Sequence, residues 1–253
     1  MKQKIKAFVN KILNLMYPKN IKCMFCVDEL NHLEYNCTCE NCMPTLPFIS
    51  NPCEKCGSPM NENQHGVCIK CKNRNFFFSQ AKSIFEYTDK PLKVVHDVKY
   101  NNKKFLIEYM VKYLLDLYAT WNVFPDIITC VPLFPTKEKA RGYNQSKLMA
   151  KIFAEKVNLP FYELTEKVVD TPSQTTLNTL ERIENVKNSF SFKDDFKKLI
   201  KNKTILIIDD VITTGATTSE ISRILCNNGA NACYVLSFAH TKLQQLDIET
   251  KDN

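Results

Sequence analysis

Residues 205–217 run Ile-Leu-Ile-Ile-Asp-Asp-Val-Ile-Thr-Thr-Gly-Ala-Thr, and the fold is decided here. Ile205, Leu206, Ile207 and Ile208 form a β-branched run of the kind buried on both faces of a parallel sheet. The run stops at two adjacent carboxylates, Asp209 and Asp210. A loop of small and hydroxylated residues follows, Thr213-Thr214-Gly215-Ala216-Thr217, and a helical pattern opens behind it and lasts to Asn228. Gly215 suits a backbone that adopts positive φ or lets something approach closely. A strand, two acids, a polar loop and a helix therefore succeed one another within about two dozen residues.

That order has a chemical meaning. Backbone N–H groups at a helix amino terminus, helped by the helix dipole, make a pocket for an anion. Threonine hydroxyls add neutral donors. Carboxylates just upstream would repel a phosphate, yet they accept hydrogen bonds well from the neutral hydroxyls of a sugar that carries one. The pattern thus fits a ribose 5-phosphate, with phosphate on Thr213–Thr217 and the 2′- and 3′-hydroxyls on Asp209 and Asp210.

The whole chain of 253 residues is long enough for one α/β domain and something smaller. Its formal charge of +7 is mild, but Lys2, Lys4, Lys6, Lys11, Lys19 and Lys22 all precede the first acidic residue, Asp28. Such a basic start can meet nucleic acid or anionic lipid. No apolar run approaches the ~20 residues of a spanning helix, and no signal-peptide pattern precedes residue 20. A cytoplasmic location is expected.

Eight of the twelve cysteines fall in four C-x-x-C pairs: Cys23 with Cys26, Cys39 with Cys42, Cys53 with Cys56, and Cys68 with Cys71. The gaps between successive pairs within each set are twelve and eleven residues. Each pair can turn two sulfurs toward one ion, and two pairs complete a tetrahedral thiolate site. Two structural zinc ions in a double ribbon over residues 21–74 are expected, because so small and polar a segment has little core of its own. Sequential pairing is taken, although a cross-braced arrangement uses the same ligands. Cys37 could compete with Cys39, and His65 could substitute in the second site.

Residues 1–20 carry Ile5, Phe8, Val9, Ile12, Leu13 and Met16 at helical spacing and predict an amphipathic helix. A strand pattern runs through Ala81, Ser83, Phe85 and Tyr87, with helices expected from Pro91 to Tyr100 and from Lys103 to Trp121. A second buried strand is expected at Ile127–Val131. The following stretch, Phe134–Asn144, reads as a basic loop with Lys137 and Arg141; beside the acidic pair it would face a pyrophosphate. A helix at Gln145–Val157, a strand at Phe161–Val169, a capping box at Asn178 and Glu181, and a last strand at Ala232–Ala239 complete the reading. The α/β domain is placed at 75–242 and a polar tail at 243–253.

The thirteen residues 205–217 resemble the 5-phosphoribosyl-1-pyrophosphate (PRPP) motif of type I phosphoribosyltransferases. With the cysteine module, Tyr87-x-x-x-Pro91-Leu92, Lys99-Tyr100, Arg141-Gly142-Tyr143-Asn144-Gln145, Gln174 and Arg182-x-x-Asn185-Val186-x-x-x-Phe190, the chain resembles the ComF family of competence-associated proteins. The resemblance implies a type I phosphoribosyltransferase-like parallel sheet flanked by helices, preceded by a small double zinc ribbon. It implies a bacterial protein of natural transformation that handles incoming single-stranded DNA and works with competence-machinery proteins. Asp209 and Asp210 would be its catalytic pair, and Thr213, Thr214, Gly215, Ala216 and Thr217 its substrate loop, with Mg accompanying PRPP.

Two readings follow. One is phosphoribosyl transfer, with Lys137 and Arg141 stabilising the leaving pyrophosphate. The other keeps the pocket as a catalytically silent nucleotide or PRPP sensor, or uses the zinc ribbon as a DNA- or protein-binding module. The long basic stretch at 134–144 stands where phosphoribosyltransferases usually keep a short loop of small residues.

Overall fold

The computed structural model describes residues 22–30, 35–170 and 186–242. The expected helix at 1–20, the capping box at Asn178, the motif residues Gln174, Arg182 and Asn185, and the tail at 243–253 lie outside them. The chain forms two compact units, Met1–Leu46 and Pro47–Asn253. In the first, Cys23, Cys26, Cys39 and Cys42 are drawn together by tight turns, with the amide of Val27 donating to Cys23 O and that of Met43 to Cys39 O.

The second unit is built on a four-stranded sheet. Strands β1 (Gln80–Glu86), β2 (Ile127–Cys130), β5 (Thr204–Ile212) and β6 (Ala232–His240) are ordered β1-β6-β5-β2, and every adjacent pair is parallel. The helices are α1 (Ile69–Asn73), α2 (Asp89–Tyr100), α3 (Leu106–Ala119), α4 (Pro135–Arg141), α5 (Gln145–Val157) and α6 (Ala216–Asn227). Both faces of the sheet are covered, which is why β5 can be apolar at every position from Ile205 to Ile208. Ile205 and Ile207 pack with Ile221, Ile224 and Leu225 of α6. Their neighbours Leu206 and Ile208 pair in register with Tyr234 and Leu236 of β6. By strand alternation these point to the opposite face, where Tyr113 of α3 meets Phe85 and Phe238 edge-on.

The second cysteine group belongs to this unit. Cys53, Cys56 and Cys68 share one buried cluster with Phe76, Phe78, Ile205 and Val235. The segment is tied to β1 by the Ala81 amide, which donates to Lys55 O at 2.9 Å, and by the Gln80 side chain, which donates to Glu54 O at 2.8 Å. Gly57 makes that approach feasible: its φ is +72°, and a Cβ there would stand 2.7 Å from Ala81 O.

Three expectations are corrected. The strand does not stop at the acidic pair but continues through both carboxylates to Ile212. The stretch read as a loop at Phe134–Asn144 contains helix α4, opened by Pro135 at its first turn and closed by Gly142. The strand expected at Phe161–Val169 shrinks to β3 (Thr165–Lys167), which pairs antiparallel with β4 (Phe190–Phe192) in a separate two-stranded sheet. No helix among the described residues is long and apolar enough to cross a membrane.

Candidate functional site

A cavity of about 950 Å³ opens at the carboxyl ends of β2 and β5, where a doubly wound sheet places its ligands. Asp209, Asp210, Thr213, Gly215, Ala216, Thr217, Lys137 and Arg141 all line it. The structure thus brings together residues separated by some seventy positions in the chain. Thr214 is buried instead; its hydroxyl accepts from the Ala216 amide at 3.3 Å and holds the turn into α6. Gly215 adopts φ +72° just before that helix, as expected, but its missing Cβ makes room for the Phe76 ring, 2.9 Å away, and not for a ligand. A bulkier residue at 215 would therefore disturb the core as well as the site.

The carboxylates are enclosed and already partnered. Asp209 Oδ1 accepts from Ser146 Oγ and from the Asp210 amide, both at 2.9 Å. Asp210 Oδ2 lies 2.6 Å from Lys99 Nζ. Lys99, Ser146 and Lys167, which also lines the cavity, were not singled out as site residues from sequence. Lys99-Tyr100 and the residue after Arg141-Gly142-Tyr143-Asn144-Gln145 were the available signals. Arg141 donates to Gln145 Oε1 and lies over the Tyr100 ring, with 5.5 Å from guanidinium carbon to ring centroid. Lys137 is joined to Asp170 at 2.7 Å.

Burial, and then the neighbouring Asp210, push the Asp209 carboxyl up to about 8. Burial alone would lower Lys99, but Asp210 and then Asp209 outweigh it and hold the ammonium above its ordinary value. The Asp209 shift has a stability consequence. A folded-state value above the unfolded one means that the contribution is complete below about pH 4 and is lost as pH rises toward about 8. Asp209→Asn, which keeps an acceptor for Ser146, is therefore expected to melt increasingly above the wild type from pH 4 to pH 8. Thermal melts of both proteins across that range check it; a melting difference that does not change with pH would contradict the assignment.

Two groups of cysteines among the described residues can hold a metal ion: Cys23, Cys26, Cys39 and Cys42, and Cys53, Cys56, Cys68 and Cys71. Within each group the sulfurs lie within 4.8 Å of one another, so the pairs combine sequentially. The two candidate substitutes stand apart. Cys37 donates its thiol to Lys22 O, and His65 is exposed outside the second group.

No protein-family model matches the chain. Competence protein F of Haemophilus influenzae is 27% identical over 227 residues, covering 87% of this chain and 97% of that protein. The chain is a homologue of the ComF proteins. DNA utilization protein YhgH of Escherichia coli is 26% identical over 209 residues, covering 80% of this chain and 90% of that one. Competence protein ComFC of Bacillus subtilis is 26% identical over 211 residues, covering 79% and 82%. Among solved structures, this ComF homologue is similar to glutamine PRPP amidotransferase from B. subtilis, at 20% identity and a TM-score of 0.36, over 52% of this chain. The match spans only 26% of the amidotransferase chain. Adenine phosphoribosyltransferase from Thermoanaerobacter pseudethanolicus is 12% identical with a TM-score of 0.34, over 55% of this chain and 82% of that one.

Proposed function

We propose that the chain binds the ribose 5-phosphate part of PRPP or of a nucleotide, and acts in the cytoplasm in the handling of incoming single-stranded DNA during competence. One observation carries this reading: a single cavity collects Asp209, Asp210, the turn into α6 and the cationic Lys137 and Arg141. The helix amino terminus offers amides to the phosphate, and the two carboxylates offer acceptors to the sugar hydroxyls. Asp210 would accept such hydroxyls beside Lys99, whose ammonium keeps the acidic pair from repelling an anionic ligand. The printed names of the homologues, competence protein and DNA utilization protein, support the cellular setting.

Phosphoribosyl transfer is the enzymatic form of this reading. Mg bound with PRPP would supply charge neutralisation to the leaving pyrophosphate, and Lys137 and Arg141 stand on the cavity wall for the same purpose. A catalytically silent sensor needs the same pocket. Calorimetry with PRPP and Mg tests the pocket: wild type binds, and Asp209→Asn/Asp210→Asn loses most of the affinity, a charge-assisted bond to Asp210 alone contributing about 1.5–3 kcal/mol. Equal binding by both proteins would reject it. Pyrophosphate release across a panel of bases and amines then separates enzyme from sensor.

The two cysteine groups are proposed to hold structural zinc. A tetrahedral site with Zn–S near 2.3 Å places sulfurs about 3.8 Å apart. Cys26 and Cys39 stand 3.6 Å apart, and Cys53–Cys71 and Cys56–Cys68 each 3.7 Å. The amides of Cys39 and Cys68 donate to the sulfurs of Cys23 and Cys53, as thiolates require. The basic start of the chain is proposed to contact single-stranded DNA weakly and without sequence preference. Changing Lys2, Lys4, Lys6, Lys11, Lys19 and Lys22 to Gln is expected to weaken DNA binding and flatten its salt dependence in a titration. An unchanged salt slope would remove these lysines from the interface.

A further inference from the structure

We propose that Cys226 and Cys233 form a peroxide-reactive dithiol site, in which Cys226 is oxidised first and Cys233 then closes a reversible disulfide onto it. The site lies at the opposite end of α6 from the turn at Gly215 and is independent of the sugar-phosphate reading above.

The chain reverses tightly between these two residues. Cys226 is the penultimate residue of α6, and Cys233 is the second of β6. Gly229, at φ +106°, turns the backbone, and its amide donates to Cys226 O at 3.0 Å. The turn is also pinned from outside: the Asn202 amide donates to Gly229 O at 2.8 Å, and the Asn231 amide to Lys203 O at 2.9 Å. A held turn therefore sets the helix end against the strand, and the two sulfurs stand 3.9 Å apart. Closing to the roughly 2 Å of an S–S bond lies within reach of a side-chain rotation at Cys226. That residue is half-buried, whereas Cys233 is enclosed in the core.

Exposure and partnership divide the thiols. Eight cysteines are committed to the two metal groups. Of the other four, Cys37 is buried and donates to Lys22 O, and Cys130 is buried on β2, where burial pushes its thiol well above the ordinary range. Cys226 combines access from solvent with a thiol neighbour, and the hydrogen bond from Cys233 brings its thiol down to about 7. Hydrogen peroxide is the oxidant. The Cys226 thiolate attacks one peroxide oxygen and the O–O bond breaks; the departing hydroxide takes up the proton that Cys226 lost, leaving a sulfenic acid and one water. The Cys233 sulfur then attacks the Cys226 sulfur, the S–O bond breaks, and hydroxide leaves with the Cys233 proton as a second water. The two thiols have together lost two electrons, and the peroxide has been reduced. The new bond fastens the end of α6 to β6 until a thiol reductant opens it.

Peptide mapping tests the site. Trypsin cuts after Arg223 and Lys242, so both cysteines fall in one peptide, residues 224–242, which contains none of the metal-group cysteines. Zinc-loaded full-length protein is treated with hydrogen peroxide, denatured in N-ethylmaleimide, digested and analysed by mass spectrometry. Wild type is expected to give a 224–242 peptide two hydrogens lighter and without maleimide, and dithiothreitol added before the maleimide should restore both thiols. At the same dose Cys130 should be oxidised at least roughly ten-fold less, because its thiolate is scarcer. Cys233→Ala removes the resolving thiol, so Cys226 should stop at the sulfenic acid and be captured by dimedone. Cys226→Ser should leave Cys233 fully alkylated, since Cys233 is shielded from the peroxide. A wild-type peptide that still takes up two maleimides after peroxide would overturn the proposal. So would a bond from Cys233 to a metal-group cysteine, or oxidation of Cys233 in Cys226→Ser at the wild-type rate.

Discussion

Cys53→Ser is expected to unfold the parallel-sheet unit, whereas Cys23→Ser should leave that unit folded. Cys53, Cys56 and Cys68 are buried in one cluster with Phe78, Ile205, Ile207 and Val235, so the second cysteine group is part of the core on which the sheet rests. Structural zinc contributes about 10–16 kcal/mol in small zinc modules, as much as the entire stability of an ordinary domain. Losing one thiolate would release the ion and leave the remaining sulfurs against β1, where Gly57 is wedged against Ala81. The first group lies in the other compact unit, so its loss is expected to remove one ion only. Metal analysis should find about two zinc ions per chain in the wild type and about one in Cys23→Ser. Thermal melts under reducing conditions would then separate the two variants. A Cys53→Ser protein that melts like the wild type would show that this cluster does not need its metal.

The next largest effect is expected at the Lys99–Asp210 pair. Its side chains are 21% and 6% exposed. Removing one partner of a fully buried pair costs about 3–5 kcal/mol; the partial exposure of Lys99 lowers the expectation here to roughly 2–3 kcal/mol. Lys99→Met leaves two adjacent carboxyl groups with no cation, and Asp210→Asn leaves the Lys99 ammonium without its direct partner. The double variant removes both charges and should recover much of the loss. Urea denaturation of the four proteins gives the coupling directly. Additive losses would mean that the ion pair is not an energetic unit. The same lysine bears on ligand binding, since it neutralises the acidic pair against which an anionic sugar phosphate must settle. Lys99→Met should therefore weaken PRPP even where the protein remains folded.

Much of this was written locally in the sequence. The run from Ile205 to Ile208 can only be comfortable in a sheet covered on both faces, and the turn at Gly215 with helix α6 behind it follows from neighbouring residues. The cysteine spacing also names the eight ligands, because a C-x-x-C turn orients its own two sulfurs, while the choice of sequential over cross-braced pairing came from the structure. Even α4 had its local signals in Pro135 and Gly142, but seven residues are too few for a helical period to stand out against a basic composition.

What neighbours in sequence could not decide was how charge and space are shared between distant segments. Adjacent carboxylates look like the end of a strand, since in isolation their repulsion and hydration favour an exposed turn. In the folded chain Ser146 and Lys99 meet them from α5 and α2, and β5 therefore runs on through both to Ile212. Gly215 is required by its own φ, yet what occupies the space beside it is Phe76, from the segment just ahead of β1. The unit with which the second cysteine group packs was set by Lys55 and Gly57 reaching β1. Local conformation follows from short-range sterics and periodicity. Which partner compensates a buried charge, and which side chain fills a gap, depends on contacts that exist only once the sheet has brought the segments together.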